Sequence, residues 1–517
     1  MKNVSTELLE AETPTTRPPL ILREAAGIIA AALVLGVGEL LSVLFGPTSS
    51  PYFAVGGAVV DNTPEGVREW AIQTFGTSDK TALFVGMSII IVALAALAGV
   101  VERRTRPFGS ALLIALGLVG IVAAATRTGS TGISAVPTAI GVAAGVALLR
   151  ALIGRAEESQ DEPGAGRRRF LTLATVSGVA ALGAAVAGWA LGRNARSVTA
   201  DRAEFVVPTP DSPAPPVPAG ADLDIPSLSS YVTANDDFYR IDTALVVPRI
   251  SSQSWSLRIH GMVDNEMTIT LADLEARQSI ERMVTLTCVS NPIGGDLVGN
   301  AVWTGYRLKD LLEEAGPNNK ADMVLSSSRD AFTAGTPLDV LLDDRDAMLA
   351  VAMNGKPLPV EHGFPVRMVV PGLYGYVSAT KWVTDLEVTR FAGATAYWTD
   401  RGWSERGPIK TATRIDTPRR SAAAGQVAIA GVAWAQHRGI SRVEVRIDGG
   451  GWMDATLSEE YSRDTWRQWV VQWDAPSGDH IIEARATDST GQVQTSDLAG
   501  TVPDGATGYA EASVKIG

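Results

Sequence analysis

One cysteine, Cys288, lies in the apolar run Met283-Val-Thr-Leu-Thr-Cys-Val-Ser-Asn-Pro-Ile-Gly-Gly of a 517-residue chain. A lone cysteine closes no intrachain disulfide. Two readings of it remain open: an inert buried thiol, or a thiolate that ligates a soft metal or does chemistry itself. The four histidines, His260, His362, His437 and His480, all lie in the C-terminal part of the chain. The apolar N-terminal part therefore has no means of holding a bis-histidine haem. His437 and His480 fall among alternating strands and are assigned no role. No glycine loop of the phosphate-cradling or dinucleotide type is found. The net charge of −12 argues against nucleic acid as a partner.

The elements that must position Cys288 follow a sharp change in composition. Before about residue 195 the chain is dominated by Ala, Gly, Val, Leu and Ile; Trp, Asp, Arg and alternating strand patterns come after it. Runs at 22–45, 82–101, 108–125 and 133–153 approach the roughly 20 residues needed to cross a bilayer, with a weaker fifth at 170–191. Basic residues cluster at alternate ends. Arg17 and Arg23 precede the first run, Arg103, Arg104 and Arg106 follow the second, and Arg150, Arg155 and Arg167 to Arg169 precede the fifth. The other loops are poor in positive charge: Arg68 and Lys80 stand among four acidic residues, and Arg127 is alone. This pattern predicts a multi-pass protein of a bacterial cytoplasmic membrane, N-terminus cytoplasmic and everything after the fifth span outside. The lipid bilayer is then a partner through five helices. Glu39, within the first run, is either a functional carboxyl or a group reaching the interface.

Arg167-Arg-Arg-Phe-Leu at the entrance to the fifth run has the form of a twin-arginine export signal, and Arg193 and Arg196 beyond it disfavour ordinary insertion. The plainer alternative is a positive-inside flank. Export by the twin-arginine translocase implies that the exterior part folds, and takes up any cofactor, before it crosses. Residues 209–220 read as a proline-rich, extended spacer. Residues 225–400 mix short strands with an amphipathic helix that stops at Gly316, an α+β pattern without βαβ alternation. Residues 401–517 alternate cleanly and carry turn signals, which suggests an immunoglobulin-like β-sandwich. The expected domains are thus a cytoplasmic N-terminus (1–20), a four-helix transmembrane region (21–154), the arginine motif with the fifth span (155–195), a linker (196–224), the α+β domain and the β domain.

Ordered motifs within the α+β domain carry a resemblance. They are Asn235-Asp-Asp-Phe-Tyr-Arg-Ile-Asp, Leu286-Thr-Cys-Val-Ser-Asn, Val302-Trp-Thr-Gly, Met353-Asn-Gly-Lys-Pro-Leu-Pro-Val-Glu-His-Gly-Phe-Pro-Val-Arg-Met-Val-Val-Pro-Gly and Ala379-Thr-Lys-Trp. Together they resemble the sulfite oxidase family of molybdopterin enzymes over about 225–400, and the β domain is similar to that family's immunoglobulin-like dimerisation domain. The resemblance implies a cofactor of one molybdenum and one pterin dithiolene, with Cys288 as the protein thiolate on the metal. It also implies cofactor contacts from Phe238, Tyr239, Arg240, Asp242, His362, Arg367, Ala379, Thr380 and Lys381, with Arg240 also a candidate at the reacting centre. Without it, Arg367 and Lys381 fit a surface ion pair and His362 a satisfied loop histidine.

The chain departs from animal and plant sulfite oxidases where these have a basic pair four and five positions after the metal cysteine. Here those positions are Pro292 and Ile293, followed by Gly294 and Gly295. The tyrosine those enzymes place near the metal is missing too, with Arg401 or Trp403 in its vicinity. A sulfite dianion would lose charge-assisted contacts worth roughly 1.5–3 kcal/mol each, with Arg240 or Arg401 compensating in part. The expectation is a membrane-anchored, extracytoplasmic molybdenum oxidoreductase moving an oxygen atom to or from a small sulfite-like or sulfoxide-like substrate. Electrons pass through a separate carrier, and the β domain is a possible homodimer contact. A non-catalytic envelope scaffold that keeps the fold is the alternative. A transporter with an exterior sensor domain is disfavoured by the nearly charge-free spans.

Overall fold

Long apolar helices build one unit of the chain, Met1–Ser197, and short strands build the other, Val198–Gly517. The computed structural model describes residues 18–46, 49–75, 79–126, 132–161, 164–195 and 198–517. The first unit holds seven helices among its described residues: α1 (Leu20–Phe45), α2 (Pro51–Asn62), α3 (Glu65–Phe75), α4 (Asp79–Val101), α5 (Phe108–Thr126), α6 (Val136–Asp161) and α7 (Ala165–Ala195). Five helical stretches are long and apolar enough to cross a membrane: Leu20–Phe45, Lys80–Val101, Phe108–Thr126, Gly132–Glu158 and Ala165–Gly192. They coincide with the five expected runs. Helices α2 and α3 were not foreseen, because 51–75 mixes Pro, Gly and charge and shows no single period. Arg17, Arg127 and Arg196 of the flank pattern lie outside the described residues.

Helix α1 packs against α4, α6 and α7. Its crossing with α4 is backbone to backbone: a Cβ on Gly27 would fall 1.9 Å from the Ala95 carbonyl oxygen, and one on Gly99 would fall 1.9 Å from that of Arg23. Small residues replace side-chain interdigitation at such a contact. Glu39 accepts a hydrogen bond of 2.6 Å from the Ser50 hydroxyl. Glu102, buried at the end of α4, accepts from the backbone N–H and hydroxyl of Ser110 at 2.7 and 2.8 Å.

The second unit begins with two sheets. One has the order β2-β1-β10-β5-β6, built from β1 (Ser256–Gly261), β2 (Met267–Thr270), β5 (Met323–Ser328), β6 (Thr333–Pro337) and β10 (Val383–Thr389). The other has the order β3-β4-β7-β8, from β3 (Ser279–Thr287), β4 (Val298–Arg307), β7 (Met348–Met353) and β8 (Lys356–Pro357), with β9 (Arg367–Val369) also paired to β7. β7 is buried along its whole length, as its apolar run Met-Leu-Ala-Val-Ala-Met requires. The amphipathic segment forms helix Leu308–Ala315 and ends at Gly316 in the left-handed conformation.

The remaining strands form two further sheets around one apolar core. The first is β11-β13-β17-β16, from β11 (Ala412–Thr417), β13 (Gly425–Trp434), β16 (Thr456–Leu457) and β17 (Arg467–Ala475). The second is β12-β19-β18-β14-β15, from β12 (Ser421–Ala422), β14 (Ile440–Ile447), β15 (Met453–Asp454), β18 (Gly478–Asp488) and β19 (Ala510–Ile516).

The expected spacer differs from a free linker. It is extended, but Ser212 bridges to Ile280, Tyr461 donates to the Pro215 carbonyl and Glu459 N–H donates to the Gly220 carbonyl. Arg202, upstream of it, donates to the carbonyls of Pro357 and Leu358 at 2.9 and 2.7 Å. Residues 198–224 are therefore laid onto the strand unit, because an extended backbone offers its N–H and C=O groups to any open sheet edge.

Candidate active site

Cys288 is the first residue after β3, and the chain turns back into β4 within ten residues. Its N–H donates to the Leu297 carbonyl (3.0 Å), its carbonyl accepts from Asn291 N–H (3.1 Å), and Asn291 Oδ1 accepts from Leu297 N–H (2.9 Å). The C-terminal sheets grip this loop from outside. Gln436 Nε2 donates to the Thr285 carbonyl at 2.9 Å and to Thr287 Oγ1 at 3.0 Å, and Arg414 donates to the Gly295 carbonyl at 3.3 Å. Cys288 is a free, half-buried thiol. Burial pushes its pKa up, while hydrogen bonds from Ser290 and the Lys381 charge pull the other way.

Aromatic rings floor the adjoining region. Phe238 stacks on Tyr239 with centroids 5.1 Å apart and meets Trp303 and His362 edge-on, each at 5.7 Å. The Phe238 ring occupies the space a side chain at 299 would need: a Cβ on Gly299 would come 2.7 Å from its Cε2. The Arg367 guanidinium lies over Trp303, 4.9 Å from the ring centroid. Tyr239 is held protonated, since burial and then the neighbouring Cys288 raise its pKa.

The cations here are poorly compensated. Arg367 is 4% exposed and donates only to the carbonyls of His362 (3.1 Å) and Met368 (3.4 Å); among the described residues no carboxylate pairs with it. Burial lowers its pKa to about 10. Lys381 donates to Asp242 at 3.1 Å and to the Glu361 carbonyl at 3.2 Å, and burial brings it down to about 8. Arg240 shares Asp242, at 2.9 Å. His362 is driven to about 3 by burial and by the Arg367 and Lys381 charges, so it is neutral at physiological pH. A buried guanidinium bonded only to carbonyls keeps most of its desolvation cost until an anion arrives.

The sequence-predicted residues thus divide. Cys288, Phe238, Tyr239, Arg240, Asp242, His362, Arg367 and Lys381 converge on one region. Ala379 ends the short helix Gly375–Ser378, and Thr380 is fully buried with its hydroxyl 2.7 Å from that of Ser326, so these two contribute backbone at most. Arg401 and Trp403 make other contacts: Arg401 lies on the Tyr397 ring (3.7 Å), and Trp403 packs with Tyr376 and Trp398 in the core cluster that also holds Val289 and Tyr374. Trp303 and Tyr374 were not singled out from sequence as site residues. Burial pushes Tyr374 up to about 12, with the Cys288 charge acting in the same direction.

Beside the cysteine loop lies a cavity of about 410 Å³, lined among others by Pro292, Ile293, Tyr374, Lys410, Arg438 and Gln494. Its two cations are paired, Lys410 with Asp504 at 2.7 Å and Arg438 with Asp488 at 2.8 Å. Among the described residues there is no cluster of three His, Cys, Asp or Glu side chains fit to hold a metal. A metal on Cys288 would need ligands from outside the protein, and a dithiolene would supply them; its phosphate fits Arg367, which has no carboxylate partner among the described residues, with Lys381 beside it.

Comparison with known proteins bears on this donor set. Residues 244–398 match the model of the oxidoreductase molybdopterin binding domain. An uncharacterized oxidoreductase of Bacillus subtilis, YuiH, is 35% identical over 153 residues, 30% of this chain and 74% of that protein. The sulfite oxidase of Arabidopsis thaliana is 29% identical over 334 residues, 52% of this chain and 83% of that one. The chain belongs to the sulfite oxidase family of molybdopterin-binding oxidoreductases. It is a molybdenum-cofactor-dependent oxidoreductase. The human mitochondrial sulfite oxidase is 28% identical over 321 residues, 52% of this chain and 58% of that protein. As a member of the sulfite oxidase family, the chain has a hydrophobic wall at Pro292 and Ile293 and its cavity cations already neutralised.

Proposed function

We propose that this chain is a membrane-anchored, extracytoplasmic enzyme that transfers an oxygen atom, with two electrons, to or from a small sulfite-like or sulfoxide-like substrate. The observation that carries the reading is the unpaired, buried Arg367 beside Lys381 and within the same site as Cys288. A fold retained for scaffolding has no need to keep a desolvated guanidinium without an anion. Cys288 is the thiolate ligand of one molybdenum; Arg367 and Lys381 hold the phosphate of one pterin dithiolene, with Phe238, Tyr239, Arg240, Asp242 and His362 around it. Once bound, the group supplies the two-electron redox chemistry at the metal.

The chain's own residues do the rest. Neutral His362 offers a ring nitrogen for a hydrogen bond and adds no charge to a site already rich in cations. Tyr374, protonated at physiological pH, presents a hydroxyl to the cavity beside Cys288. Lys410 and Arg438, each neutralised by a carboxylate, leave no free cation to balance a dianion, which favours a neutral or singly charged substrate. The apolar wall of Pro292 and Ile293 favours a substrate with an alkyl part.

Orientation follows the basic flanks, with export through the twin-arginine translocase, 225–400 as cofactor domain and 401–517 as an immunoglobulin-like domain available for homodimerisation. Electrons pass to or from a separate carrier. The deciding experiment is molybdenum per chain in native protein and in Cys288→Ser, from cells able to make the cofactor. Near one metal per native chain is expected, with loss of metal or an altered molybdenum electron resonance spectrum in the variant. Metal-free native protein defeats the cofactor assignment.

A further inference from the structure

At one end of α6 and α7 lies an open cavity of about 470 Å³ that the oxidoreductase chemistry does not use. Arg155 of α6 and Arg168, Arg169 and Thr172 of α7 line it, together with Gly164 and Ala165. The core beneath fixes these positions. Phe170, 1% exposed, packs among Leu149, Leu152, Ile153 and Ala156. Arg169 precedes that phenylalanine and Arg155 precedes that alanine, so both emerge, exposed, at the rim.

Two carboxylates on α6, Glu157 and Glu158, are turned to another partner. Glu157 accepts from the Arg104 backbone N–H (3.4 Å), and Glu158 lies 3.7 Å from the Arg104 guanidinium. The Thr172 hydroxyl donates to the Arg168 carbonyl, which leaves the guanidinium groups as the donors facing the cavity. The start of the 31-residue α7 adds its positive dipole end to the same place. Three guanidiniums at one rim repel one another unless an anion lies between them, and their planar forks suit phosphate oxygens. Below the rim the face of α7 that carries Thr172 exposes Val176, Val179 and Val186, an apolar track leading away from the cavity.

We propose that this cavity holds the headgroup phosphate of an anionic phospholipid, its acyl chains lying along the apolar track. The track decides for lipid over free phosphate, which would have no use for it. The proposal rests on reading the five helices as membrane spans. Basic pockets between helices on the cytoplasmic side are a recurrent means of recognising acidic lipids.

The test uses the full chain purified in detergent, with native mass spectrometry after adding equal phosphatidylglycerol and phosphatidylcholine. Native protein should retain the anionic lipid preferentially. Arg155→Gln with Arg169→Gln, which leaves Arg167 and Arg168 of the export motif in place, should reduce that preference about ten-fold. Unchanged molybdenum content and elution volume confirm that the variant is folded. Equal retention of both lipids by native protein overturns the proposal, as does an undiminished preference in the variant or full displacement by millimolar inorganic phosphate. Failure of the spanning assumption looks different: a full chain that stays monodisperse in water without detergent.

Discussion

Arg367 and Lys381 are both buried cations, yet they answer to different measurements. Arg367 has no carboxylate among the described residues, so its charge is balanced only when an anion binds. Arg367→Met should therefore raise the thermal stability of the empty protein while weakening cofactor retention about 10- to 100-fold, the loss of a charge-assisted contact. Dialysis followed by metal analysis, beside a melting curve, reads both effects. Lys381 adds a pH dependence. Its pKa falls from the ordinary 10.5 to about 8 in the folded chain. Below about 8 both states carry the proton and the burial penalty is felt in full. Between about 8 and 10.5 the unfolded chain binds more protons, so the stability of the empty protein rises with pH across that window. Cofactor affinity moves oppositely, declining as the ammonium discharges. Urea unfolding at pH 8 and pH 10 checks the first; the same shift in Lys381→Met would show that another group is responsible.

At the scale of elements, β3 and the loop after it are held by a domain remote in sequence. Gln436 bonds both the Thr285 carbonyl and the Thr287 hydroxyl. Gln436→Ala strands a buried carbonyl, and should cost about 1–3 kcal/mol in denaturant unfolding, with weaker metal retention following from a looser Cys288. A variant as stable as native protein would show that the clamp is dispensable. This clamp explains what the sequence could and could not disclose. The five long apolar helices were legible because each is a continuous apolar run, and the strands 427–431 and 443–447 because their alternation is local. The cationic cluster was legible through its motif order alone; nothing in the spacing of Asp242, His362 and Lys381 brings them together. Tyr374, Lys410 and Arg438 meet at the cavity only when segments far apart in sequence come together, and no short-range signal encodes that. The spacer at 209–220 misled for the same reason: its composition reports stiffness, and its bonds to Ser279 and Glu281 come from far along the chain.

For the whole molecule, the division at Ser197 and Val198 separates two kinds of solvent requirement. Exposed apolar side chains crowd the first unit, among them Ile89, Ile90, Val119, Val122, Val179 and Leu182. The second has its own cores. A chain starting at Val198 should be monodisperse in water and bind molybdenum when made in cells that supply the cofactor, whereas the full chain should need detergent. Size-exclusion chromatography of the two decides it; aggregation of the shorter chain would mean that its fold depends on the helical unit.

The cavity beside Cys288 has walls of separate origin. One belongs to the segment that carries the metal-ligand candidate, the other to turns between strands of the C-terminal sheets, around 492–495 and 506–508. The two meet at Gly508, where a Cβ would come 2.6 Å from Ile293 Cδ1; away from that glycine the second wall can vary without disturbing the first. Such an arrangement decouples inheritance of the reaction from choice of substrate: descendants of one ancestral enzyme can diversify by editing a few surface turns while the redox apparatus passes on unchanged. For anyone wishing to redirect this enzyme, residues 492, 493, 495, 506 and 507 are the first to randomise, with Gly508 kept.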